Sequence, residues 1–191
     1  MNHSLAIVGP TGVGKSKLAL KLAQILSGEI VSADSRQVYR YMDIGTAKPS
    51  RQELSLAPHH LIDIVNPDDS FSLAQYQELA YRAIDDVQRR KKLPIIVGGS
   101  GLYVWSIVEG WGVPRVPPDP DFRRCLEERA ATAGRDELYH ELEMVDPVVA
   151  ERIDKRNVRR VIRALEVHRG TKLATRQPQP RKTPFYNTLL I

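Results

Sequence analysis

Apolar strands and amphipathic helices alternate along the first hundred residues. Short apolar runs with the length of buried strands lie at 4–8, 29–33, 60–65 and 93–97. Apolar residues recur at helical spacing over 15–26, 72–90 and 102–109. Because a helix between two strands returns the chain to the same end of a sheet, this alternation predicts an α/β fold with a parallel sheet flanked by helices.

A proline-rich segment at 112–120 interrupts this pattern. Helical patterns follow at 121–133, 136–143, 147–153 and 158–168, and 185–191 has the composition of a strand. We therefore predict an α/β core over 1–112, a helical insertion domain over 113–175, and a return to the core over 176–191. No apolar run approaches the ~18 residues of a membrane-spanning helix, so we expect a cytoplasmic protein without membrane contact.

The first strand runs into the motif GPTGVGKS at 9–16. It satisfies the phosphate-binding pattern GxxxxGK[ST], after a strand and at the start of a helix. Backbone N–H groups would face phosphate oxygens, Lys15 would neutralise a terminal phosphate, and Ser16 would bind Mg²⁺ as the metal ligand. The predicted diphosphate-binding residues are Gly9, Pro10, Thr11, Gly12, Val13, Gly14, Lys15 and Ser16.

This motif at 9–16, called a P-loop, does not identify its ligand, because kinases, NTPases and transferases that release diphosphate all contain it. An NTPase usually has a carboxylate after another core strand, but the run at 93–97 leads into two glycines. Asp34 instead follows the second strand, at the sheet edge where ligands bind in such folds. Its position leaves three roles open: general base, helix cap, or magnesium contact through water.

Several motifs resemble those of the tRNA dimethylallyltransferases, also called tRNA isopentenyltransferases. The resemblance is carried by DSRQVY at 34–39, MDIGTAKP at 42–49, PHHLID at 58–63, VGGSGLY at 97–103 and RRVIRALE at 159–166. It covers nearly the whole chain and implies a P-loop NTPase-like sheet. Members of that family continue beyond the point that matches TPFYN at 183–187, so we expect a fragment or a truncated form.

The resemblance also implies a reaction. The P-loop of that family holds dimethylallyl diphosphate, and the acceptor is the exocyclic N6 amine of the adenosine immediately 3′ of the anticodon in tRNA. Diphosphate is released and ATP is not consumed. For this chain the resemblance implies Asp34 as general base, with Lys15 and Ser16 as further catalytic residues and Mg²⁺ as cofactor.

The same resemblance implies contacts with the tRNA anticodon loop. The implied tRNA-binding residues are Asp34, Ser35, Arg36, Gln37, Ser100, Arg123, Arg159, Arg160 and Arg163. No obligate protein partner is implied.

The distribution of charge favours a polyanionic partner on the C-terminal side. The net charge is +5, but residues 151–191 contain eleven Lys and Arg against three Asp and Glu, whereas the preceding part contains 17 against 20. In the last predicted helix, apolar residues share one face and arginines the other. A solvated basic face is the alternative, and the resemblance favours RNA contact.

Three other functions remain open at this point. An adenylate isopentenyltransferase would share the P-loop and Asp34 but would need no extended RNA surface. A P-loop small-molecule kinase fits the first motif but lacks the second carboxylate. A non-catalytic RNA-binding protein would bind tRNA in a salt-dependent manner without forming a product.

Overall fold

The structure is a computed structural model that describes residues 3–132, 134–173 and 184–191. Contacts divide the described chain into two compact units, with the division between Val113 and Pro114. Residues 184–191 belong to the first unit. The first boundary predicted from the sequence lies one residue earlier, and the second predicted boundary, at 175/176, lies outside the described residues.

The first unit contains a five-stranded parallel sheet. Its strands are β1 His3–Val8, β2 Gly28–Ser32, β3 His59–His60, β4 Leu93–Gly98 and β5 Asn187–Leu190. They lie in the order β3-β2-β4-β1-β5, and every neighbouring pair is parallel. The predicted parallel α/β sheet is confirmed.

Helices cover both faces of this sheet. They are α1 Lys15–Ile25, α2 Arg51–Leu56, α3 Leu73–Arg89 and α4 Gly101–Val108. Successive strand residues point to opposite faces of the sheet. On one face, Ile95 packs in a cluster with Ala19 of α1. On the other face, Ile96 packs in a cluster with Tyr76 of α3 and Val104 of α4. The sequence pattern and the packing therefore agree for the central strands.

The structure differs from the sequence-based expectation around β3. The apolar segment at 60–65 is a strand only at its start, because Leu61 and Asp63 have positive φ angles of 64° and 56° that end the extended chain. Helix α2 was not predicted. It is six residues long and begins with a capping box in which Ser50 and Glu53 exchange hydrogen bonds.

The second unit is helical. It contains α5 Pro120–Thr132, α6 Arg135–Val145, α7 Pro147–Ala150 and α8 Val158–Leu173. Its core consists of Leu126, Leu138, Leu142, Ala150, Val161, Ile162 and Leu165. The apolar face predicted for α8 is thus buried. Ala133, the last residue of the first helix predicted there, lies outside the described residues. Within the described ranges, no helix has the length and apolar character needed to cross a membrane.

Candidate active site

The P-loop joins β1 to α1. Gly12 and Gly14 both have a φ of 90°, a conformation that L side chains rarely adopt, which accounts for glycine at these positions. Helix α1 begins at Lys15 without a side-chain cap, so its first N–H groups are open to an anion. The ammonium group of Lys15 donates to the carbonyl oxygen of Pro10 at 2.6 Å, so it lies against the loop itself.

A cavity of about 520 Å³ opens beside this loop. Its lining includes three segments: Thr11, Gly12, Gly14, Lys15 and Ser16 of the P-loop; Asp34, Arg36 and Gln37 after β2; and Gly45, Thr46, Ala47 and Pro49 before α2. Apolar side chains also line it, including Ala19, Ile30, Ile62 and Val97. This volume is within the range typical of small-molecule sites.

Asp34 is half-buried directly after β2. Its Oδ1 accepts hydrogen bonds from the backbone N–H groups of Arg36 at 2.8 Å and Gln37 at 3.3 Å. These bonds orient the carboxylate within a turn. The helix-cap alternative is wrong, because the next helix, α2, begins at Arg51 and is capped by Ser50. Oδ2 has no hydrogen-bond partner among the described residues and is therefore available to accept a proton.

Ser35 and Ser100 are 65 positions apart in sequence and meet beside Asp34. The Oγ of Ser100 accepts from the backbone N–H of Ser35 at 2.9 Å and lies 3.2 Å from its Oγ. The close approach depends on Gly98, where a Cβ atom would lie 2.0 Å from the carbonyl oxygen of Ala33. Glycine at the end of β4 thus lets the two strand ends approach each other.

The side-chain amide of Gln37 is already occupied within the protein. Its Oε1 accepts from Ser32 Oγ at 3.1 Å, and its Nε2 donates to the carbonyl oxygens of Thr46 at 3.2 Å and Ala47 at 2.9 Å. Gln37 therefore ties the segment after β2 to the cavity wall. Arg36 is exposed, and its guanidinium group has no partner in the described part of the chain.

Neither the cavity wall at 45–49 nor the buried position of Lys48 within it was predicted from the sequence. The Lys48 side chain is 6% exposed and donates to Tyr39 O at 3.0 Å, Asp43 Oδ1 at 2.6 Å and Asp63 Oδ1 at 2.7 Å. Burial alone would lower the pKa of Lys48, but the two carboxylates outweigh it and raise that pKa. The motif at 42–49 was noted only as part of the resemblance, although it contains this lysine.

Two neighbouring histidines occupy different environments. His59 lines the cavity, its Nδ1 lies 2.8 Å from the carbonyl oxygen of Ala57, and burial lowers its pKa. His60 instead lies 2.7 Å from the buried carboxylate of Glu29, which also pairs with Arg90. Neither was assigned a catalytic role from the sequence.

The arginines implied for tRNA binding in the second unit fall into two groups. Arg123 donates to both carboxylate oxygens of Glu166, at 2.8 and 2.7 Å, and Arg163 pairs with the same carboxylate. Glu166 is 2% exposed, and although burial acts to raise its pKa, these partners lower it to about 2. Arg159 and Arg160 are exposed, and among the described residues their guanidinium groups have no partner.

The oxygen donors beside the P-loop suit a magnesium ion. Ser16 and Asp34 both line the cavity, and Mg²⁺ usually takes one or two protein ligands and completes its shell with phosphate oxygens and water. In the described ranges, no three His, Cys, Asp or Glu residues form a group that could hold a metal on their own. The donors fit an ion that arrives with a diphosphate.

Comparison with known sequences supports the resemblance seen in the motifs. A family model described as IPP transferase matches residues 37–191. The tRNA dimethylallyltransferase of Roseiflexus castenholzii is 54% identical over 187 residues, and that of Chloroflexus aggregans is 56% identical over 185. These matches cover 98% and 94% of this chain but 61% and 62% of the relatives, so the chain spans about three fifths of their length.

Comparison with solved structures agrees with this. The full-length tRNA isopentenylpyrophosphate transferase of Bacillus halodurans is 43% identical with a TM-score of 0.60, covering 99% of this chain and 59% of that one. A eukaryotic dimethylallyltransferase, solved acting on tRNA, is 29% identical with a TM-score of 0.76, covering 100% of this chain and 48% of that one. The chain belongs to the IPP transferase family.

Proposed function

We propose that this chain is the P-loop portion of a tRNA dimethylallyltransferase. It would transfer the dimethylallyl group of dimethylallyl diphosphate to the N6 amine of the adenosine immediately 3′ of the tRNA anticodon. The observation that carries the proposal is the shared cavity, which is lined both by Lys15 and Ser16 of the P-loop and by Asp34. A cytoplasmic location, where tRNA is modified, belongs to the same proposal.

The P-loop would bind and stabilise the leaving group, diphosphate. As the amine attacks C1 of the dimethylallyl group, the bond from C1 to oxygen breaks and diphosphate departs with the electron pair. The open N–H groups of α1 and the Lys15 ammonium would stabilise that developing charge. In this proposal Lys15 exchanges its bond to Pro10 for a diphosphate oxygen, since the ammonium is within the cavity lining.

Magnesium would be held by the Ser16 hydroxyl together with the diphosphate, and Asp34 lines the same cavity. When bound, the ion would supply further positive charge at the diphosphate.

Asp34 would accept the proton that the amine loses. The turn that holds Oδ1 leaves Oδ2 without a hydrogen bond in the described residues, which is the arrangement that a fixed general base requires. A positioned base typically contributes about 10² to 10⁴ in rate. This role is compatible with the turn contacts of the same side chain because the two oxygens are used separately.

RNA contact is proposed for the exposed cations. Arg36 lines the cavity, and Arg159 and Arg160 present unpaired guanidinium groups on α8. Arg123 and Arg163 are about 40% exposed while paired with Glu166, so they could contact phosphate only through their remaining N–H groups. We therefore assign the larger part of phosphate binding in the second unit to Arg159 and Arg160.

The test is product formation with two acceptors. The protein is incubated with Mg²⁺, dimethylallyl diphosphate and either total tRNA or AMP, and prenylated adenosine is measured by mass spectrometry. Prenylated tRNA that disappears in Lys15→Ala and Asp34→Ala supports the proposal. Prenylated AMP without prenylated tRNA would replace it with a nucleotide transferase. A matched chain extended with the C-terminal part of the Roseiflexus castenholzii relative controls for length.

A further inference from the structure

The wall of the cavity at 45–49 and the chain leading into it include two non-glycine residues in an unfavourable backbone conformation, Tyr41 and Ala47. In the segment that leads through it, Tyr41, Gly45 and Ala47 have positive φ angles of 64°, 78° and 49°. Tyrosine and alanine rarely adopt this conformation because the Cβ atom approaches the following carbonyl oxygen. Such a segment keeps one shape only where contacts around it compensate for the strain.

Lys48 supplies three of those contacts. An ammonium group has three N–H donors, and the three acceptors of Lys48 are Tyr39 O, Asp43 Oδ1 and Asp63 Oδ1. No donor is left for a ligand, and the side chain is 6% exposed whereas its two carboxylate partners are 69% and 46% exposed. Lys48 therefore acts on the protein itself, joining three separate stretches of chain.

The wall is also connected to Asp34. Gln37 donates from its side chain to Thr46 and Ala47 in the wall, and its backbone N–H donates to Asp34 Oδ1. A displacement of the wall would remove the acceptors of Gln37 and loosen one of the two bonds that orient the carboxylate. The wall thus lies between the buried lysine and the proposed base.

We propose that Lys48 is a positioning residue, which holds the wall at 45–49 so that the cavity fits the organic group of the prenyl diphosphate beside Asp34. The inference rests on the proposed function. It separates two parts of one ligand: the P-loop binds the diphosphate without help from Lys48, and the wall that Lys48 holds selects and orients the dimethylallyl group.

The test compares Lys48→Met with Arg90→Met. Methionine replaces most of the apolar stem of either side chain, is shorter than both, and removes every donor. Arg90 pairs with buried Glu29 in the same unit and does not line the cavity, so its loss lowers stability without touching the wall. Three properties are measured for both variants. They are thermal unfolding, amide hydrogen exchange over 41–49, and the affinities for dimethylallyl diphosphate and inorganic diphosphate with Mg²⁺.

The expected result is a selective defect. Lys48→Met should weaken dimethylallyl diphosphate binding about tenfold and lower kcat, with inorganic diphosphate affinity within about twofold of wild type, as expected from lost buried hydrogen bonds. Exchange over 41–49 should rise in this variant alone. Lys48→Arg, which keeps charge and donors, should restore part of the loss.

Equal stability losses in the two methionine variants, with the ratio of the two affinities unchanged in Lys48→Met, would overturn the inference. A loss of affinity for inorganic diphosphate as large as the loss for dimethylallyl diphosphate would also overturn it, because the effect of the wall would then not be separable from that of the P-loop. A wild-type protein that binds dimethylallyl diphosphate but prenylates no tRNA contradicts the proposed function alone, since the affinity ratio still decides the role of Lys48. A wild type without any such binding contradicts both.

Discussion

Replacing Glu166 by glutamine should weaken the second unit in a pH-dependent manner. The carboxylate is 2% exposed and accepts from the backbone N–H of Asp119 at 2.7 Å and from the guanidinium groups of Arg123 and Arg163. It joins the start of α5 to the middle of α8. Glutamine has nearly the same volume, so the substitution removes charge and acceptor strength with little change in packing.

The magnitude follows from the pKa. The partners of Glu166 lower its pKa from an ordinary value of 4.5 to about 2, which corresponds to about 3 kcal/mol at neutral pH. Because the two arginines are 40% and 38% exposed and regain hydration when unpaired, we expect Glu166→Gln to cost about 2 kcal/mol. A lowered pKa in the folded state means that this stability is present above pH 4.5 and is lost as the pH falls to about 2.

Urea unfolding of wild type and variant between pH 7 and pH 2 provides the assay. Circular dichroism follows the helices of both units, while tryptophan fluorescence reports on the first unit alone because both tryptophans, Trp105 and Trp111, belong to it. The variant should lose helical stability at pH 7 and show a shallower decline below pH 4.5, with the fluorescence transition unchanged. Equal stability at pH 7, or equal pH dependence of the helical transition, would refute the reasoning.

Three further substitutions give sharp outcomes. Gly98→Ala places a Cβ atom 2.0 Å from a backbone carbonyl oxygen and should destabilise the first unit by about 3 kcal/mol or more in urea unfolding, whereas Gly101→Ala, whose nearest neighbour is at 3.9 Å, should change it little. Ser100→Ala removes the hydrogen bond to the loop beside Asp34 and should lower kcat while diphosphate affinity is retained. Ser100→Thr keeps the hydroxyl, so its kcat should stay near that of wild type. Equal activity in the two variants would contradict this role. Replacing Arg159 and Arg160 together by glutamine should reduce the slope of log tRNA affinity against log salt by about 1.4 to 1.8, and an unchanged slope would remove them from the interface.

The parts of the structure that depend on local pattern were predictable from the sequence. The P-loop combines a strand, glycines at fixed spacing and a helix start, and all of these lie within 3–25. The alternation of strands and helices determines a parallel sheet in the same way, since each crossover is specified by its own residues. The buried face of α8 followed from helical spacing alone.

What escaped prediction depends on contacts between distant residues. Nothing near Lys48 in sequence indicates that Asp63 would become its acceptor, and a lysine in a polar loop is normally exposed. The resemblance implied RNA contact for Arg123 and Arg163, but Glu166 lies 43 positions from the first of them and binds both. Helix α2 is too short for a periodic signal, and the only local sign of it is the S-x-x-E pattern from Ser50 to Glu53, which forms its capping box.

The measurement closest to the central claim is the single-turnover rate of Asp34→Asn with saturating dimethylallyl diphosphate and tRNA. Asparagine keeps an Oδ1 acceptor for the N–H groups of Arg36 and Gln37, so the turn survives, but its nitrogen cannot accept the amine proton. We predict a rate lower by about 10² to 10⁴, with the affinities for both substrates within about threefold of wild type. A rate near wild type, or a lost rate caused by lost binding, would contradict the assignment of Asp34 as the base of a prenyl transfer.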